Sequence, residues 1–235
     1  MDTRIAAADG SIPGYLSEPQ PEVAGASPWP GVVVVHDVLG LGDDVRQITD
    51  RFATAGYLAV APDLYSRGGM VRCVKSVFSQ LFAAKGRAFE DIDAARNLLA
   101  AREDCTGKVG VVGFCMGGGF ALVAAAREFD ASAPYYGPLP KDESVFDGAC
   151  PIVASYGGRD RGLAGAAGKL QLALSERDIP HDVKEYPDAG HAFANRIVTG
   201  PFNRVARVAG MHYHHESSED AWRRVLAFFT EHLRS

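Results

Sequence analysis

Three reactive side chains stand at positions from which they could act together. Cys115 lies inside GVVGFCMGGG, residues 110–119, with Gly113 two positions before it and Gly117 two after. Asp160 ends the run PIVASYGGRD, and His191 follows Gly190 in DAGHAFAN. A thiol, a carboxylate and an imidazole are the groups needed for nucleophilic acyl transfer: one attacks, one moves the proton, one orients the base. The flanking glycines fit a nucleophile on a sharp strand-to-helix turn, where larger neighbours would collide with the adjoining backbone. A following helix would favour a thiolate at its N-terminus and turn free N–H groups toward the reacting centre. Each residue also has an ordinary reading: Cys115 as core filler, Asp160 as a turn former, His191 as a loop histidine. Cys73, Cys105 and Cys150 have no glycine frame and read as structural.

The elements around these residues are legible from periodicity. GVVVVHDVLG (31–40) reads as a strand buried on both faces and feeding a loop, DDVRQITDRFATAGY as a helix stopped by Gly56, and YLAVAPDLY (57–65) as the next strand. Residues 71–101 read as largely helical. KVGVVGF (108–114) is a strand, GGGFALVAAAR a small-residue helix, FDASAPYYG a strand, and PIVASYGGRD (151–160) a strand entering a Gly/Asp turn. LAGAAGKLQLALSER reads as a helix, HDVKEYPDAG as a short strand and loop, and SEDAWRRVLAFFTEHL as an amphipathic closing helix. Strands alternating with helices argue an α/β fold with a mostly parallel central sheet and helices on both faces, in one domain over 1–235. Polar residues gather at strand ends: His36 and Asp37, Arg67, Cys115 and Asp160. The carboxyl ends of parallel strands form the expected cleft, so the site should be assembled from several distant loops. One oxyanion donor should be the Met116 N–H and the other should come from the HDVLG loop.

Composition narrows the functional classes. The chain has 235 residues, 47% of them hydrophobic and 23% charged, with a formal charge of -5. That balance argues against a basic nucleic-acid footprint. No run reaches the roughly 18 apolar residues of a membrane span. The opening MDTRIAAADG lacks a basic and then apolar leader pattern, so a cytoplasmic location is expected and no membrane partner. Four cysteines without a CxxC pair argue against a disulfide framework or structural zinc.

HDVLGL (36–41), PDLYSR (62–67), GFCMGGG (113–119), YGGRD (156–160) and GHAFAN (190–195) together resemble the dienelactone hydrolase family, a branch of the α/β-hydrolases. The resemblance runs over nearly the whole chain. It implies a single-domain α/β-hydrolase fold and hydrolysis of an ester or lactone through a thioacyl-enzyme. Cys115 would be the nucleophile, Asp160 the acid and His191 the base, with Val38 and Met116 giving the oxyanion-hole amides. No cofactor or metal is implied, and the partner would be a small ester or lactone. Two positions depart from the family pattern. Members commonly carry a glutamate after the first strand that interacts with the resting cysteine; the matching residue here is Asp37, after His36. Dienelactone-cleaving members bind a substrate carboxylate with arginines, one of them four residues after the catalytic histidine. Asn195 stands there, followed by Arg196, with Arg67 and Arg72 as further candidates.

Other readings stay open at this level. Gly113, Gly117 and Gly119 fit a dinucleotide-loop spacing, although they lie mid-chain and no Tyr-x-x-x-Lys pair accompanies them. The same fold could serve as a silent small-molecule binding protein. In MHYHHE (211–216), His212 and His214 would point the same way in a strand, without a recognised zinc pattern. The connection 196–218 could be a lid, a specificity loop or an interface element, and the choice between monomer and homodimer is open.

Overall fold

The computed structural model describes residues 1–196 and 212–234. Eight strands form one sheet in the order β1-β2-β4-β3-β5-β6-β7-β8. They span Asp2–Ala7 (β1), Gly10–Ser17 (β2), Trp29–Val35 (β3), Leu58–Pro62 (β4), Cys105–Phe114 (β5), Ala131–Tyr135 (β6), Ile152–Gly157 (β7) and His181–Tyr186 (β8). From β4 to β8 every pair is parallel, while β1 pairs with β2, and β2 with β4, antiparallel. The parallel core follows the expectation. The antiparallel edge does not: β1 buries only Ile5, a weak signal for a strand, although Ile12, Gly14 and Leu16 of β2 alternate with less buried residues.

Among the described residues there are seven helices: α1 (Pro21–Ala24), α2 (Asp43–Thr54), α3 (Gly69–Phe82), α4 (Arg87–Ala100), α5 (Met116–Ala124), α6 (Ala166–Ser175) and α7 (His215–Leu233). The valines of β3 show why both faces are covered. Val33 and Val35 join Phe89, Ile92 and Phe120 on one side, and Val32 and Val34 join Phe52, Val225 and Phe229 on the other. The helical stretch expected over 71–101 is two helices. Ala84 (φ 52°) and Gly86 (φ 120°) break it, and the α3 side chain of Gln80 accepts the Ala88 N–H at 2.8 Å, capping α4. The last helix begins earlier than expected: His214 is its N-cap and accepts the Ser217 N–H, while His215 is already helical. No group of three metal-ligating side chains occurs among the described residues, and no described helix is long and apolar enough to cross a membrane.

Parallel strands emerge on one edge, and the chemistry-bearing residues follow their ends: His36 after β3, Tyr65 beyond β4, Cys115 after β5, Tyr136 after β6, Asp160 after β7 and His191 beyond β8. α7 anchors this arrangement from below through Phe229, fully buried and stacked among Phe52 and Tyr57. Gly110 of β5 leaves space for its ring, since a Cβ there would come within 3.1 Å of it. Phe229→Ala is expected to lower unfolding stability by about 3–4 kcal/mol, read from urea unfolding, because the cavity opens between helix and sheet.

Candidate active site

The turn at Cys115 is made by backbone packing against backbone. β5 is registered with Gly113 beside Val35 of β3 and Phe114 beside Tyr135 of β6, so Cys115 leaves the sheet between the loops that begin at His36 and Tyr136. Cys115 has φ 54° and ψ -115°, outside the usual regions for an L-residue, and is the N-cap of α5. A Cβ on Gly113 would overlap the Gly117 carbonyl, and one on Gly117 would overlap the Val35 carbonyl and lie 2.6 Å from that of His36. The Gly117 and Gly118 faces are filled by protein backbone. That closes the space a dinucleotide pyrophosphate would need and removes the nucleotide-loop reading.

Asp160 and His191 are brought together by a second close approach. Gly157 ends β7 where a Cβ would lie 2.5 Å from the Gly190 carbonyl, and the Arg159 N–H donates to Ala189 O at 2.9 Å. The loops after β7 and β8 therefore lie side by side. The His191 Nδ1–H donates to Asp160 Oδ2 at 2.6 Å, while Asp160 Oδ1 accepts the Gly162 N–H at 3.0 Å. The Cys115 thiol group stands close enough to His191 to favour its charged form, and the His191 ring packs 5.1 Å from that of Tyr136. Cys115 is half-buried, Asp160 is 8% exposed, and the His191 side chain is 23% exposed. Imidazole and carboxylate are thus joined directly, with the half-buried thiol beside them.

The charges in this group support one another. Burial alone would push His191 down, but its bond to Asp160 and then the nearby Cys115 thiol outweigh burial and raise it to about 10. Burial likewise opposes ionisation of Asp160, and the bonds from His191 and Gly162 hold its carboxyl below the ordinary value.

The sequence profile of the dienelactone hydrolase family matches residues 12–233. The chain belongs to the dienelactone hydrolase family. A Yersinia pestis protein named "Putative carboxymethylenebutenolidase" is 28% identical over 98% of this chain and 88% of its own. An Escherichia coli (strain K12) protein of the same name is 29% identical over 98% of this chain and 86% of its own. The crystal structure of a Klebsiella pneumoniae protein described as "Putative Dienelactone Hydrolase" superposes with a TM-score of 0.80 at 26% identity, covering 98% of this chain and 97% of that one.

Within the dienelactone hydrolase frame, several expected site residues serve the scaffold instead. His36 is fully buried with both nitrogens engaged: Nδ1 donates to the Asp37 carbonyl at 2.7 Å and Nε2 accepts the Leu64 N–H at 3.1 Å. It is a strut between the β3 and β4 loops, with both ring nitrogens occupied there. Asp37 turns back on its own loop, accepting the Leu39 N–H at 2.7 Å. Arg67 is committed to Asp91 through two bonds, of 2.5 and 2.9 Å, and to Asp9 at 2.7 Å. Arg67 and Arg72 line a cavity of about 420 Å³ whose walls include none of Cys115, Asp160 or His191. The Asn195 amide is buried, donating to Asp44 Oδ2 at 2.6 Å and accepting from the Tyr136 hydroxyl. Arg196 lies over the Tyr213 ring at 4.9 Å and, with Asp37, borders a cavity of about 320 Å³. The connection after Arg196 falls outside the described residues up to His212.

Tyr65, Tyr136 and Asp44 were not singled out from the sequence as site residues. Tyr65 sits in PDLYSR and Tyr136 in the strand-ending PYYG, each just beyond a buried strand, which is the one signal that marks them. Asp44 opens α2 and also accepts the Arg196 N–H at 2.9 Å, so it pins the chain beyond His191.

Two pH dependences follow. Burial, with added repulsion from Asp44, pushes the Asp37 carboxyl up to about 6 against the opposing pull of the Leu39 N–H and His191. A carboxyl that is harder to ionise when folded lowers stability above its folded value, and the deficit vanishes below its unfolded value. Asp37→Asn, which keeps the acceptor for Leu39, is therefore expected to raise stability at pH 8 by about 1–2 kcal/mol and to be neutral below about pH 4, measured by thermal unfolding. The Asp160–His191 pair has the reverse signature for its base. Its contribution is full below about pH 6.5 and fades as pH rises through the folded value of His191, while on the acid side it is lost when Asp160 protonates. The stability gap between wild type and Asp160→Asn should peak near pH 5–6 and narrow toward pH 10.

Proposed function

We propose that this dienelactone hydrolase family member hydrolyses a small ester or lactone by acyl transfer to Cys115. The observation that carries this reading is the grouping of Cys115 with His191 and Asp160, the last two joined by a 2.6 Å bond, at the carboxyl edge of the sheet. His191 holds the proton of the Cys115 thiol on Nε2, since Nδ1 is occupied by Asp160. The thiolate sulfur adds to the substrate carbonyl carbon, forming a C–S bond and moving the carbonyl pair onto oxygen. Amides of Val38 and Met116 receive that oxyanion. Collapse breaks the bond to the leaving oxygen, which takes the proton from His191 and departs as an alcohol, or remains tethered when the substrate is a lactone. Water then adds to the thioester while His191 accepts its proton, and collapse breaks the C–S bond. The products are a carboxylic acid and an alcohol, or one hydroxy acid from a lactone.

Asp160 keeps the imidazole in the tautomer and orientation this cycle needs and stabilises its charged form. The order of the three residues along the chain, each at a strand end, fits the hydrolase topology. Family membership supports ester or lactone hydrolysis as the reaction class, and the relatives' names point to an enol lactone as the first substrate to assay.

Cys115→Ala is expected to lower hydrolysis of a small ester and a small lactone by at least about a thousand-fold, with the fold unchanged by circular dichroism. Mass spectrometry of rapidly quenched wild type should show an acyl group on Cys115. Undiminished hydrolysis by the Cys115→Ala protein would remove the mechanism. A folded protein inert to every ester and lactone, with wild type and variant alike, would favour the binding-protein alternative.

A further inference from the structure

The loop from His36 to Gly40 is braced through several of its backbone groups. The Asp37 carbonyl accepts from His36 Nδ1 at 2.7 Å and from the Gly40 N–H at 3.3 Å. Because His36 Nε2 accepts the Leu64 N–H, Nδ1 is the nitrogen that carries the proton. The next peptide is held at both ends: the Leu39 N–H donates to Asp37 Oδ1 at 2.7 Å, and the Val38 carbonyl accepts the Tyr65 hydroxyl at 3.1 Å. Among the described residues, no hydrogen bond takes up the Val38 N–H. The amide left over by this bracing is the one that the proposed mechanism uses.

Tyr65 stands between this loop and the nucleophile's helix. Its hydroxyl lies 3.6 Å from Met116 Sδ, its ring packs 4.9 Å from that of His36, and it is only 3% exposed. Burial, and then the negative charges of Asp37 and Cys115, push the phenol up to about 12, so it stays a donor throughout the assay range. Fixed donors at a developing oxyanion are effective because no reorganisation is needed when charge appears.

We propose that Tyr65 is a positioning residue of the oxyanion hole: by anchoring the Val38 carbonyl it fixes the backbone of Val38, whose N–H, on the preceding peptide, then faces the substrate carbonyl oxygen. This inference rests on the proposed Cys115 reaction. Tyr65 acts through Val38 and touches no reacting atom. Without its hydroxyl, the Val38 carbonyl loses its anchor and Val38 can turn about its Cα bonds, so the N–H on the preceding peptide drifts and the donor is weakened without being deleted.

The test compares Tyr65→Phe with wild type on an uncharged p-nitrophenyl ester, its thiono ester analogue, and iodoacetamide. Hydrolysis of the oxygen ester should fall about 5–50-fold in kcat with KM within about twofold, less than the hundred- to thousand-fold loss seen when an oxyanion donor is deleted. The preference for the oxygen ester over the thiono ester should narrow, because sulfur is the poorer acceptor of the same bond. Alkylation by iodoacetamide forms a C–S bond at a saturated carbon and expels iodide. It builds no oxyanion, so its rate at Cys115 should stay within about twofold. As a second variant, 3,5-difluorotyrosine at position 65 keeps ring and hydroxyl and should retain at least about half the wild-type kcat.

Unchanged kcat in Tyr65→Phe, or a parallel fall in hydrolysis and alkylation, would overturn the inference. A loss in the fluorinated protein equal to that in Tyr65→Phe would do the same, even if Tyr65→Phe folded poorly. Failure of the underlying reading looks different: Cys115→Ala would then remain active whatever Tyr65 does.

Discussion

Backbone carbonyls of two strands press directly on the first turn of α5, and the position of every reactive group follows from that contact. Gly117 meets the carbonyls of Val35 and His36, and Gly118 meets that of Tyr135. A helix this close to the sheet can be entered only through a turn as sharp as the one at Cys115, with its φ of 54°. Such a conformation costs on the order of 1–3 kcal/mol and persists because its surroundings leave no alternative. Here the surroundings are the fully buried β3 and β6 and the wholly buried α5, which together outweigh the strain. The same contact sets the distance from the thiol to the loops that begin at His36 and Tyr136. The His36 loop and the wall beside His191 are thereby tied to the turn at Cys115.

The parallel sheet was legible because its strands are apolar on both faces, a pattern that VVVV at 32–35 and VGVV at 109–112 show without ambiguity. The grouping of Cys115, Asp160 and His191 was legible for a related reason: in such a sheet the strand ends share one edge, so order along the chain becomes proximity. Edge strands and pairings were not. DTRIAA carries one buried residue, Ile5, and its fold role depends on Tyr15 and Ala61 beyond it. Arg67 looked available for a substrate because its partners, Asp91 and Asp9, lie 24 and 58 residues away in the chain. Asn195 looked like a missing arginine, yet its amide spans Tyr136 and Asp44, a bridge no local pattern announces. Residue type indicates what a side chain can do, and long-range geometry decides what it is left free to do.

That bridge explains how His191 is held without a rigid element beneath it. His191 lies in a loop, where side chains ordinarily have freedom, and loops place catalytic groups well only when pinned. Asp44, at the start of α2, accepts both the Asn195 amide and the Arg196 N–H, so the chain beyond His191 is fastened to a helix on the other side of the cleft. Tyr136 closes the circuit by donating to Asn195 while its ring packs on the imidazole. An arginine in place of Asn195 would bring a charge and a longer stem into a space that is 1% exposed, and it would lose the acceptor for Tyr136. The neutral amide suits this position because it can donate to a carboxylate and accept from a phenol at once.

Asp37 shows a similar dependence on side-chain length. An aspartate carboxylate is short enough to close a turn onto the amide two residues on, which is what it does at Leu39. A glutamate carries its carboxylate one methylene further, past its own loop and toward whatever faces it. The shorter side chain therefore commits the charge to the backbone, and that commitment is expensive: burial raises its carboxyl to about 6, so near neutral pH the protein keeps an anion where a neutral group would be easier to hold. What it obtains is a fixed Leu39 N–H, with the Val38 carbonyl already taken by Tyr65. With both of those groups engaged, the Val38–Leu39 peptide is fixed within the loop. A short carboxylate and a buried phenol thus fix one peptide of this loop from its two ends.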